Sequence, residues 1–266
     1  MDFVDIRYQV EGPVARITLD RPEARNAYSE EMVRSLVAAF DAAEADEEVR
    51  VVVLTGEGKA FSAGGDLKRM REHSGMFAGG PYALRRNYQM GIHTIPQRIA
   101  TFEKPVIAAV NGPAMGAGLD LACMCDIRVA AERARFASSF INVGLVPGDG
   151  GAYFLTRAIG FPRALEMMLT ARVVEPQEAL SLGLVSAIVA DDQLLSEAHA
   201  RAEALAARAP LAVRLTKRAA YHALGADMAA ALELAATFQG VVQNSEDHQE
   251  ALEALLDKRA PTFTGK

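Results

Sequence analysis

The sequence predicts an α/β fold with a helical C-terminal end, on three observations. Residues 3–10 (FVDIRYQV) and 14–20 (VARITLD) alternate apolar and polar on either side of Glu11-Gly12, as the arms of a hairpin do. The runs VVVLTG (51–56) and KPVIAAVNG (104–112) are apolar almost throughout, as strands buried on both faces are, and each leads into a glycine-rich turn and a helical pattern. Beyond residue 190 the chain is helical in pattern and rich in alanine.

The elements follow in order. After the turn-like RPEARNAYS, Ser29 caps a helix running to about Ala45, with Met32, Leu36, Val37 and Phe40 on its apolar face. Residues 66–101 read as helix interrupted at Gly75 to Pro81, and IRVAAE (127–132) as a further strand. Pro210, Gly225 and the acidic stretch 244–247 divide the C-terminal end into about four helices. Their apolar faces, with Leu211, Val213, Leu215, Leu232, Leu234, Phe238 and Val241, are too extensive for helices in water and must pack on the core or on a neighbouring subunit. A core over 1–195 and a helical region over 196–266 are therefore expected.

Composition narrows the function classes. A chain of 266 residues, half of them hydrophobic, can bury a sizeable core. The formal charge of −6 and the scattered Lys and Arg supply no basic stripe, so nucleic acid is not an expected partner. A phosphate-bearing ligand remains open, because a few local cations or a helix N-terminus suffice to bind one. Cys123 and Cys125 have no second pair to complete a metal site and read as buried free thiols in a reducing compartment. No apolar leader pattern and no run of about 20 apolar residues occurs, so a cytoplasmic protein without a membrane partner is expected.

Two turns carry the chemistry. Phe61-Ser62-Ala63-Gly64-Gly65-Asp66-Leu67 and Gly112-Pro113-Ala114-Met115-Gly116-Ala117-Gly118 each follow a buried strand and open a helix. Glycines there let a ligand approach the backbone, and first-turn amides point outward as donors. Two such turns can aim two N–H groups at one developing oxyanion, an arrangement that stabilises it by several kcal/mol in a dry site. Neither turn has the spacing of a dinucleotide fingerprint or a P-loop.

The segments RPEARNA, AFSAGGDLKRM, KPVIAAVNGPAMGAGLDLACMCDIRVA, GLVPGDGGAYFLTRAIG and ALSLGLVSAIV, in this order and spacing, resemble the crotonase (enoyl-CoA hydratase/isomerase) superfamily over nearly the whole chain. The resemblance implies a ββα spiral core, a helical C-terminal trimerisation region, and a homotrimer or dimer of trimers acting on an acyl-CoA thioester. Coenzyme A enters as part of the substrate, and no metal or redox cofactor is implied. The oxyanion amides fall on Gly65 and Ala117. The hairpin Ala63, Gly64, Gly65, Asp66, Leu67 and Lys68 falls where the adenine end is held, and Arg25 or Lys68 is placed to meet the phosphates or to be an ordinary surface cation.

The pattern breaks at the acid-base positions. Hydratases of the superfamily use two glutamates, which fall here on Asp120 and Phe140. Asp120 keeps a carboxylate shortened by about 1.5 Å, whereas Phe140 cannot transfer a proton. Asp149 lies one residue beyond the position at which superfamily isomerases carry a catalytic Asp, and reads equally as catalyst or as helix cap. The expected activity is that of an enoyl-CoA hydratase working through Gly65, Ala117 and Asp120, with or without Asp149; a single-Asp isomerase and a non-catalytic acyl-CoA binder are the alternatives. Tyr82, Tyr88, Met70 and Met90 are candidates for the acyl pocket, and the five histidines read as surface or packing residues.

Overall fold

A computed structural model describes residues 3–266. Strands β1 (Ile6–Glu11) and β2 (Val14–Leu19) form the expected hairpin, with Ile6 opposite Leu19 and Glu11 opposite Val14. Helix α1 (Glu30–Ala45) starts where Ser29 accepts the Met32 amide, and β3 (Val51–Gly56) follows it. The segment expected to be a broken helix is α2 (Leu67–Arg71), a 3-10 turn at Gly75–Phe77, α3 (Pro81–Met90) and α4 (Thr94–Thr101). Then come β4 (Val106–Val110), the short β5 (Ala114–Met115), α5 (Ala117–Met124), β6 (Ile127–Ala131) and β7 (Phe136–Ala137). Helices α6 (Gly151–Ile159), α7 (Phe161–Thr170) and α8 (Pro176–Ser181) lead to β8 (Ala187–Val189).

The six longer strands form one sheet in the order β1-β2-β3-β4-β6-β8, antiparallel only at the hairpin. A second, narrower layer stands beside it: Ser62 bridges Ala114, β5 pairs with β7, and Phe136 bridges Val174. Each turn of the chain thus passes from a main-sheet strand to a residue or two in the second layer and then to a helix, which is a ββα spiral.

Strand β3 shows why its sequence is apolar throughout. Val52 and Leu54 face the main core with Leu36, Phe40 and Leu119, while Val51 and Val53 face the opposite side, against Leu194, Ala198 and Ala202. The latter residues belong to α9 (Leu194–Ala206), so the helix that begins the C-terminal region covers the back of the sheet. The boundary expected at 195/196 falls inside this helix. An alanine-rich face signals helix without naming the surface it packs on.

Helices α10 (Pro210–Ala223), α11 (Met228–Gln243) and α12 (Glu246–Leu256) complete the four expected. Helix α10 is tied to the core through Lys217, whose Nζ donates to Asp126 at 2.8 Å and to the Lys104 carbonyl at 2.9 Å. No residue of α10 or α11 is buried, and Leu224, Met228, Leu232 and Val241 stand exposed in the single chain. Cys123 and Cys125 are buried free thiols, as expected. Among the described residues, no helix is long and apolar enough to cross a membrane.

Candidate active site: two backbone turns and a buried carboxylate pair

The two glycine-rich turns meet backbone to backbone. The Met115 amide donates to the Ser62 carbonyl at 2.9 Å, and the Ser62 amide to the Pro113 carbonyl at 3.2 Å. Gly64, at φ +82°, lies so close that a Cβ there would sit 2.5 Å from the Met115 carbonyl oxygen and 2.9 Å from the Ala117 nitrogen. A Cβ on Gly118 would overlap the Ser62 backbone in the same way. Gly116 takes φ +52°, a conformation that turns the chain from β5 into α5 and that side chains disfavour.

This contact sets Gly65 and Ala117 on one cavity of about 250 Å³. Ala117 is the first residue of α5, where an amide has no intrahelical acceptor. Among the described residues, neither the Gly65 nor the Ala117 amide donates to any acceptor. The carbonyl of each peptide is held from behind: Gly64 O accepts the Tyr28 amide at 2.8 Å, and Gly116 O accepts the Asp120 amide at 3.0 Å. Those bonds fix the direction of both free N–H groups. Buried Tyr28 also donates its hydroxyl to the Ala117 carbonyl at 3.2 Å, so one residue touches both turns.

Three other sides of the cavity are apolar or aromatic: Met70, Phe77, Tyr88, Ile92, Phe140 and Leu145. Tyr88 and Met70 are therefore at the pocket, as expected. Tyr82 and Met90 are not; both are mostly exposed, and Met90 lines a separate groove beside α1. Two residues on from Tyr88 along α3, a side chain points to the far side of the helix. Ser139 and Asn142 add polar groups beside Phe140. Tyr28, Phe77, Ser139 and Asn142 were not read from the sequence, since Tyr28 and Phe77 resemble ordinary core and the other two carry no motif.

Asp149 lines the cavity as well. It does not cap α6, whose N-cap is Gly150 and which has no side-chain cap bond. Its Oδ1 is buried without a hydrogen-bond partner, and burial pushes its pKa up to about 6, opposed by nearby His93. Asp120, expected to face the substrate, is fully buried and is not among the lining residues. Its carboxyl lies against Gly151, where a Cβ would overlap it, so the first turn of α6 stands in front of it. Neither Asp120 oxygen has a hydrogen bond of normal geometry. Burial first, and the charge of Asp149 second, hold the Asp120 pKa well above the usual carboxylate range, with the Gly151 amide opposing weakly. Burial therefore disfavours ionisation of Asp120 beside an ionised Asp149.

At the cavity mouth, Asp66 caps α2 by accepting the Lys68 and Arg69 amides and pairs with Arg21 at 3.0 Å. Ala63, Gly65 and Leu67 line the opening, while the Arg25 and Lys68 side chains lie exposed near it on consecutive turns of chain. The Ala63 amide donates to the Arg25 carbonyl at 2.9 Å, which holds the two segments together.

The enoyl-CoA hydratase/isomerase family model matches residues 9–266, and the chain belongs to that family, within the crotonase superfamily. It is an enzyme of that family. The chain is 35% identical to the short-chain-enoyl-CoA hydratase of Clostridium acetobutylicum over 97% of both chains. It is 37% identical to the 2,3-dehydroadipyl-CoA hydratase of Escherichia coli, over 95% of this chain and 96% of that one. Its fold is similar to that of an enoyl-CoA hydratase from Bacillus anthracis, with a TM-score of 0.92 at 33% identity, covering 99% of this chain and 100% of that one.

Gly64→Ala, which combines a strained φ with a clash into backbone, is expected to lower the unfolding free energy by about 1–3 kcal/mol in a urea titration. Wild-type stability in that variant would contradict the close approach of the two turns.

Proposed function

We propose that the protein hydrates an enoyl-CoA thioester, with Asp149 as the single carboxylate that moves the proton. The observation that carries this reading is an unbonded, buried Asp149 oxygen on the same cavity as two free amides. The thioester oxygen accepts the Gly65 and Ala117 N–H groups, which stabilise the charge that develops there. A water adds its oxygen to the β carbon while Asp149 takes its proton, and the double-bond electrons move onto the thioester oxygen as an enolate. Asp149 then returns the proton to the α carbon as the enolate collapses. The sum is one water added, with no net change in the enzyme. Ser139 and Asn142, which line the same cavity, are polar groups available to hold that water, and the names of the relatives support hydration.

Asp120 lies behind the first turn of α6 and takes no direct part in this reading; its burial disfavours a second negative charge near the enolate. Ala63 to Lys68 would hold the adenine end of coenzyme A, and Arg25 or Lys68 its phosphates. The exposed apolar residues of α10 to α12 support a homotrimer or dimer of trimers. A single-chain mass in sedimentation velocity would exclude that assembly.

A second reading is favoured by Phe140, whose ring stands on the cavity in place of a second acid-base group. In it Asp149 removes a proton from one carbon of the acyl chain and returns it to another, so the double bond moves and no water is added. Crotonyl-CoA and longer or aromatic enoyl-CoAs separate the two: loss of enoyl absorbance with a 3-hydroxyacyl product supports hydration, and a shifted double bond supports isomerisation. Tight binding with neither product would support a non-catalytic acyl-CoA binder.

Asp149→Asn is expected to lower turnover by about 10²–10⁴-fold, the usual worth of a positioned acid-base group. Because the working form is the anion and its pKa is raised to about 6, activity is expected to fall as pH drops through about 6. A rate independent of pH between 5 and 7 would count against Asp149 as the base.

A further inference from the structure

The loop that carries Asp149 is held from the side by a residue with no role so far. The His93 Nε2 lies 2.8 Å from the Gly148 carbonyl oxygen. A carbonyl only accepts, so Nε2 carries the hydrogen and donates it. That carbonyl belongs to the peptide joining Gly148 to Asp149, one bond from the Asp149 backbone. The His93 ring is itself held: its backbone amide donates to the Tyr88 carbonyl at 2.9 Å, and it packs edge-on against the Tyr88 ring, with centroids 5.8 Å apart. The Tyr88 ring packs close to the same loop, since a Cβ at Gly148 would lie in ordinary contact with the Tyr88 Cε1, at 3.4 Å.

We propose that His93 is a positioning residue for Asp149, fixing the Gly148-Asp149 peptide through its Nε2–H and placing a titratable imidazole beside the carboxylate. The inference rests on Asp149 as the proton-moving group. The titratable groups facing Asp149 are His93 beyond the end of α3, Tyr88 on α3, Asp120 on α5 and Tyr28 before α1. Of these only His93 can bring a positive charge, which favours the Asp149 anion. Losing the imidazole therefore makes Asp149 hold its proton to higher pH.

Two variants of the full chain separate anchoring from charge. His93→Gln keeps an N–H donor without titrating, and His93→Leu keeps bulk without a donor. The readout is deuterium incorporation at the α carbon of butyryl-CoA in D₂O, which needs only the base and the enolate. For His93→Leu, kcat for exchange is expected to fall about tenfold or more with KM little changed, as a misplaced catalytic group gives. His93→Gln should regain most of that loss. In both, the acid limb of the pH profile should move to higher pH, a shift that a purely structural contact would not cause. An unmoved acid limb in His93→Gln overturns the proposal even if His93→Leu fails to fold, as does wild-type kcat in His93→Leu. A wild-type enzyme that does not exchange, or an Asp149→Asn variant that exchanges normally, overturns instead the reading of Asp149 on which this one stands.

Discussion

The contact between the backbones of two glycine-rich turns is the constraint on which the rest of the site depends. Ser62 and Ala114 bridge the second layer of the spiral, and Gly64 and Gly118 let the chain on each side come closer than any Cβ permits. Only that approach sets the Gly65 and Ala117 amides on one cavity. The two N–H groups belong to fixed peptides, held from behind by the Tyr28 and Asp120 amides, a geometry that would need little reorganisation if charge developed between them.

The electrostatics follow from burial. Two carboxyl groups, both almost fully buried and within reach of each other's field, cannot both ionise cheaply. The deeper one, Asp120, has its pKa held well above the usual carboxylate range, and that of Asp149, at the cavity, is pushed up to about 6. A carboxylate of that strength beside two unpaired amides has the basicity of a group able to exchange protons near neutral pH. Phe140 reinforces the arrangement by making the facing wall apolar.

Much of the fold was legible because its signals are local. Alternation in β1 and β2, the fully apolar β3 and β4, and the Ser29 cap are set by neighbours in sequence. The family pattern pointed to the turns with Gly65 and Ala117, and both residues line one cavity. What sequence could not supply was direction. Asp120 sits in a motif position yet lies behind Gly151, because α6 packs across α5 in a way that no residue of α5 announces. Asp149 looked as much like a cap as a base until Gly150 proved to occupy the capping position. His93 had no motif at all; its partner is a carbonyl 55 residues away, and a backbone acceptor leaves no mark on the sequence.

The close packing at Gly64, Gly118 and Gly151 has a consequence for how such a site can change. A side chain added at these positions costs stability, so the backbone of the turns is constrained while the cavity wall is not. Phe77, Tyr88, Ile92, Phe140 and Leu145 line the cavity. A changed cavity shape, whether drifted into by evolution or engineered, has those walls as its adjustable part, and the two turns can be inherited unchanged.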